Sequence, residues 1–165
     1  RKPGKGNQQM TTTTNSFTTS GGAAYMSNRM DWETPTDLFA SLDDEFHFTL
    51  DAASSETNHK CQKHYTLEDS AFDHEWGGKT VFCNPPYGRA IADWVRKCSM
   101  EASRENTLVV MLLPARTDTR WFQDYILDRA EIRFLKGRLK FETDGVPDGP
   151  APFPSMVVVM RTGER

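Results

Sequence analysis

The chain has 165 residues, 37% of them hydrophobic and 26% charged, with a formal net charge of −3. That length and balance predict one soluble globular domain large enough for a proper core. No apolar run approaches the roughly 18 residues that a membrane span needs, and residues 1–27 lack the apolar core of a signal peptide.

Cys61, Cys83 and Cys98 are odd in number and form no CxxC pair, which points to a reducing compartment and a cytoplasmic protein. The charge is unevenly spread. Twelve acids lie between Asp31 and Trp76 against Lys60 and Lys63, whereas Arg116 to Phe141 holds seven basic residues against four acids. A polyanion is repelled by the first segment and attracted by the second. The same pattern also suits an ordinary solvated surface.

Residues 1–27 are rich in Thr, Ser, Gly, Asn and Gln and carry too few large apolar groups to offset ordering entropy, so they are expected to be a disordered tail. A single folded domain is expected over 28–165. In "ETPTDLFASLDDEF", Thr34 suits a helix N-cap, Pro35 the first helical position and Asp37 the first turn, with Leu38, Leu42 and Phe46 forming the apolar stripe. "FHFTLDAAS" alternates Phe46, Phe48 and Leu50 as a half-buried strand. A short strand is possible at His64–Leu67. Gly77-Gly78 marks a turn before a strand at Thr80–Cys83, and Ile91, Trp94, Val95, Cys98 and Ala102 fall at helical spacing. "TLVVMLLP" reads as a strand covered on both faces, and Trp121, Phe122, Tyr125 and Ile126 as a helix. "EIRFL", "RLKF" and "SMVVVM" read as strands, the last two separated by a Pro/Gly-rich loop at Gly145–Pro154.

Helices alternating with buried strands predict an α/β domain with a mainly parallel sheet. Ligands in such sheets bind beyond the C-terminal strand ends, where Asp51 and Asn84 fall. "TVFCNPPY" (80–87) therefore stands out. Two prolines fix two φ angles and remove two N–H donors, leaving the Asn84 side-chain oxygen and the Pro85 carbonyl as two fixed acceptors. An exocyclic amine can donate both of its protons to them, which concentrates the nitrogen lone pair toward an electrophile without a strong base. Tyr87 offers a flat face for a planar ring. The motif alone does not choose among such amines. His59, Cys61 and His64 match no established zinc spacing, and no metal is expected.

"NPPY" after an apolar strand resembles the catalytic motif of S-adenosylmethionine-dependent amino-methyltransferases. With "DWETPTDLF", "FTLDAASSETNHKC", "LEDSAFDHEWGGKTVFCNPPYG", "LLPARTDTRWF" and "EIRFLKGRLKF" in order, the chain resembles the small phage-type DNA N6-adenine methyltransferases over about residues 30–160.

The resemblance implies a Rossmann-like methyltransferase fold with helices on both sheet faces and a C-terminal antiparallel strand. It implies transfer of a methyl group to adenine in double-stranded DNA after base flipping. Asn84 and Pro85 accept from the amine, Pro86 holds the turn and Tyr87 stacks on the base. It also implies that Thr34 and Pro35 close over the methionine end of S-adenosylmethionine, that Asp51 and Ala52 contact its amino or sulfonium region, and that Asp69 accepts from its adenine amine. Glu56 is a weak candidate for the ribose. The usual glycine-rich loop is replaced by Asp51-Ala52-Ala53-Ser54.

Arg116 and Thr117 are expected to line the DNA pocket, and Arg138 and Lys140 to meet phosphates from one face of a strand. The protein is expected to act in a bacterial host cell, alone or as a weak dimer. Cytosine N4 methylation, or a non-catalytic DNA-binding module that keeps the fold, are the competing readings.

Overall fold

A computed structural model describes residues 31–163; the expected N-terminal tail lies outside them. In chain order the elements are α1 (Thr36–Phe46), β1 (Leu50–Asp51), a 3-10 turn (Ala71–Asp73), β2 (Thr80–Cys83), α2 (Ile91–Ala102), β3 (Leu108–Pro114), α3 (Arg120–Tyr125), β4 (Glu131–Phe134), β5 (Glu142–Thr143), β6 (Val146–Pro147) and β7 (Ser155–Arg161).

Five strands form one sheet in the order β1-β2-β3-β7-β4. β1, β2 and β3 pair in parallel, while β7 runs antiparallel to both β3 and β4. The sheet is thus mixed: a parallel half, and a C-terminal reversed strand inserted between β3 and β4. Val109 to Leu113 and Met156 to Val159 are buried on the two central strands, which explains why both read as unbroken apolar runs rather than alternating ones.

Helices cover both faces. Successive strand side chains point to opposite sides: Phe82 meets Phe39 of α1 at 5.1 Å between ring centroids, whereas the adjacent Cys83 meets Cys98 of α2. α2 is further anchored by Glu101, 1% exposed, whose carboxylate accepts from the Trp76 amide and from Arg104 Nε.

Several local expectations are corrected. Thr34 does not cap α1. Pro35 occupies the N-cap without a side-chain bond, and the Glu142 carboxylate, 106 positions away, accepts from the Thr36 amide and hydroxyl instead. Phe46 and Phe48 lie outside the first strand. Phe46 ends α1, and His47 turns the chain through a left-handed conformation (φ 57°), leaving only Leu50 and Asp51 to pair.

The possible strand at His64–Leu67 reduces to a single parallel bridge from His64 to Asp51. "RLKF" is not a strand: Arg138 to Phe141 run as irregular chain. The pairing appears just after them, where β5 and β6 form a hairpin around Asp144 and Gly145. Both turn residues have positive φ, 51° and 77°, as a two-residue Asp-Gly hairpin turn requires. Among the described residues, no helix is long and apolar enough to cross a membrane.

The register gathers one edge. β1, β2 and β3 end there at Asp51, Cys83 and Pro114. Pro114 pairs with Ser155 at the start of β7, and Phe134 at the end of β4 pairs with Met156.

Candidate active site

A cleft of about 720 Å³ opens at this edge, with Thr34, Asp51, Ala52, Asn84, Pro85 and Pro86 among its lining residues. The sheet register places Asp51 beside Phe82, so the residues that follow the first two strands meet although they are more than thirty positions apart.

The Asn84 carboxamide is held by a segment far upstream. Its Nδ2 donates to the Trp32 carbonyl and, at 3.0 Å, to the Thr34 hydroxyl oxygen. Both are acceptors here, so the amide orientation is set: a flipped group would point its oxygen at the Trp32 carbonyl. Oδ1 is left buried with no hydrogen-bond partner. An unmet buried acceptor is costly, and this one sits on a residue that lines the cleft. Thr34 is itself 3% exposed, which makes the pairing rigid.

Asp51 is also 3% exposed. Its Oδ2 accepts from the Lys60 amide at 2.8 Å and its Oδ1 from the Ala53 amide at 3.4 Å. Burial pushes its carboxyl up to about 6, against the lowering pull of those two N–H groups and the Lys60 charge. The Asp51 backbone is tied on both sides of the Lys63–Tyr65 segment, donating to Lys63 and accepting from Tyr65. A carboxylate so held is a preorganised acceptor for a cation or an ammonium group.

Tyr87 is placed differently from the stacking role expected for it. Its ring is 5% exposed, packs edge-on to Phe153 at 5.6 Å and Phe141 at 6.2 Å, and its hydroxyl donates to the Leu112 carbonyl at 2.9 Å. Burial pushes the phenol well above its usual range. The apolar packing and the satisfied hydroxyl hold the ring under the turn, so Tyr87 fixes the end of the Pro85-Pro86 frame.

Asp69 turns toward His74, with Oδ1 2.6 Å from Nε2. Its neighbours Thr66, Leu67, Ser70 and Phe72 line the cleft. The apolar wall there was missed by sequence reasoning at Leu67, which is 91% exposed, and at Phe72, whose ring meets Trp94 edge-on at 4.8 Å. No periodicity marks these residues, because Leu67 lies on irregular chain and Phe72 in a single 3-10 turn. Their only signal is large apolar groups in an otherwise polar stretch. Glu56 lies near His64, at 3.6 Å.

Arg116 and Thr117 follow β3 and are exposed. Arg138 and Lys140 are exposed on irregular chain rather than on one strand face. Backbone bonds nonetheless bring these cations around one loop: Ala115 donates to Pro154, Leu135 to Ser155, and Ala151 to Leu139. Arg133 belongs elsewhere, bound to Glu45 at 2.6 and 2.8 Å and to Glu131 at 2.7 Å. Among the described residues, no group of three or more His, Cys, Asp or Glu side chains is arranged to hold a metal ion.

Residues 22–164 match the family model described as DNA N-6-adenine-methyltransferase (Dam). A DNA N-6-adenine-methyltransferase of Escherichia phage T1 is 37% identical over 116 residues, covering 69% of this chain and 48% of the relative. A protein of the same name from Haemophilus phage HP1 is 30% identical over 106 residues, covering 63% of this chain and 61% of the relative. The chain thus spans about half to three-fifths of the length of these relatives.

Proposed function

The chain belongs to the DNA N-6-adenine-methyltransferase family, and from that premise we propose that it transfers a methyl group from S-adenosylmethionine to the N6 amine of adenine in double-stranded DNA. The observation that carries the reading is the Asn84 carboxamide, its nitrogen pinned by Trp32 and Thr34 and its buried oxygen without a partner. That oxygen is the acceptor an amine needs, and the Pro85 carbonyl is the second.

The target adenine is extruded from the duplex to reach the site. Asn84 Oδ1 and the Pro85 carbonyl take its two N–H protons as hydrogen-bond partners. The nitrogen lone pair is thereby turned out of conjugation, and Pro86 keeps the turn rigid. Tyr87, buried beneath, props this frame.

The Rossmann-like half of the sheet is the natural seat for the methyl donor, which supplies an activated methyl group on a sulfonium. The cleft suits it: Asp51, Ala52 and Thr34 would meet its cationic end, and Leu67, Phe72 and Trp94 would offer apolar walls at the other, while Pro35, expected beside Thr34, is buried and does not line the cleft. Asp69, steadied by His74, has its second oxygen for an adenine amine.

Arg116, Lys136, Arg138 and Lys140 around the Ala151–Pro154 loop suit a phosphate chain, with Thr117 beside Arg116. A phage- or prophage-encoded protein acting in the host cytoplasm is consistent with the relatives named above.

Incubation with tritiated S-adenosylmethionine and unmethylated duplex DNA tests the reading. Label should enter DNA as N6-methyladenine on nucleoside analysis, and Asn84→Ala should lower the rate by about 10²–10³-fold. Label in N4-methylcytosine would reassign the base, and donor binding without transfer would make the chain a binding module.

A further inference from the structure

The Trp32–Thr36 segment does two jobs at once. Trp32 and Thr34 orient Asn84, and Thr36 starts α1. The β5 strand grips this segment at several points. Glu142 donates its amide to the Glu33 carbonyl at 3.0 Å. Its carboxylate, on a residue 6% exposed, accepts from the Thr36 amide at 2.9 Å and the Thr36 hydroxyl at 3.0 Å. One residue earlier, the fully buried Phe141 ring meets the Trp32 ring at 5.3 Å. Beyond Glu142, the Glu33 carboxylate accepts from the Asp144 and Gly145 amides at the hairpin turn. The two residues that hold Asn84 therefore lie inside a stretch that Phe141 and Glu142 clamp at both ends.

We propose that Glu142 is a positioning residue for the methyl-transfer step, holding Trp32 and Thr34 where they lock the Asn84 carboxamide. This rests on the reading of Asn84 as the amine acceptor. The local physics supports more than a cap. A helix N-terminus is normally satisfied by its own N-cap side chain, but Pro35 has none to offer. A buried carboxylate from a distant strand replaces it, so the register of α1 and of the Thr34 hydroxyl depends on β5. Small displacements of an oriented acceptor are expensive, of order a hundredfold in rate for about 1 Å.

The test compares Glu142→Ala with Glu142→Gln, which keeps one carboxamide oxygen for the Thr36 amide and an N–H group for its hydroxyl. Two readouts are taken on protein verified as folded at the assay temperature. The first is hydrogen exchange of the Asn84 side-chain NH₂, assigned by its disappearance in Asn84→Ala. Glu142→Ala should speed that exchange about tenfold or more, and Glu142→Gln should largely restore it. The second is kinetic: Glu142→Ala should lower kcat about tenfold to a hundredfold, and Glu142→Gln should largely restore it.

Unchanged Asn84 exchange in Glu142→Ala, whatever happens to the melting temperature, would overturn the proposal and leave Glu142 as a helix cap. Exchange needs no turnover, so a wild-type protein that transfers no methyl group would defeat the functional reading while this inference is still decided.

Discussion

The Asn84 carboxamide nitrogen donates to the Thr34 hydroxyl oxygen at 3.0 Å, joining residues fifty positions apart. The bond converts a proline turn after β2 into an oriented acceptor. It also gives Thr34 a task that has nothing to do with capping α1. Replacing Thr34 with Val keeps the shape and removes one of the two anchors. Methyl transfer in a single turnover is expected to slow about tenfold, with Thr34→Ser close to wild type. Equal rates in Val and wild-type proteins would mean that the Trp32 carbonyl alone suffices.

Asp51 makes the protein's stability depend on pH in a defined direction. Its carboxyl titrates near 6 in the fold against an ordinary 3.8. Between these values the folded state holds a proton that the unfolded chain has lost, so stability falls as pH rises from about 4 to about 6. The full cost, about 3 kcal/mol, is reached above the folded value. Urea titrations of wild type and Asp51→Asn at pH 4 and pH 7 should show the difference between them shifting by roughly that amount in favour of Asn at the higher pH.

The same group predicts the pH dependence of donor binding. A cationic ligand favours the ionised carboxyl, so affinity should rise with pH through about 6 and level off above it. Calorimetry across this range is the measurement, and Asp51→Asn should flatten the curve.

Cations near the sheet edge are expected to divide into two kinds. Arg138→Ala with Lys140→Ala should weaken DNA binding regardless of sequence and make the slope of log affinity against log salt shallower by about 2. Arg133→Ala should leave that slope unchanged, because its guanidinium is already paired with Glu45 and Glu131. Fluorescence anisotropy over a salt series separates them; a shallower slope in Arg133→Ala would show that the ion pairs open on DNA.

Glu101 predicts a loss of stability rather than of chemistry. Glu101→Leu strands the Trp76 amide and takes the carboxylate away from Arg104 Nε at 2.6 Å and from the Lys97 ammonium at 3.5 Å, which keeps the His74 carbonyl. The expected cost is about 2–4 kcal/mol in urea unfolding.

What the sequence by itself determined is the local and periodic part. β3 and β7 were legible because burial on both faces demands unbroken apolar runs. α2 was legible from its stripe through Ile91, Val95 and Cys98, and Asn84-Pro85-Pro86 from the rigidity that two prolines impose. Tertiary structure alone decided everything that depends on a partner far along the chain. Thr34 looks like a cap until Glu142 arrives to take the Thr36 amide and Asn84 takes the Thr34 oxygen. The packing of Tyr87 against Phe141 and Phe153 is likewise decided by rings far along the chain. Arg133 looks like its neighbouring cations until Glu45 binds it. A side chain's chemistry is set by its residue type, but which of its atoms remains unsatisfied depends on what the fold brings beside it. In this protein the Asn84 oxygen was legible as an acceptor from its motif, but only the fold shows that it stays buried and unmatched.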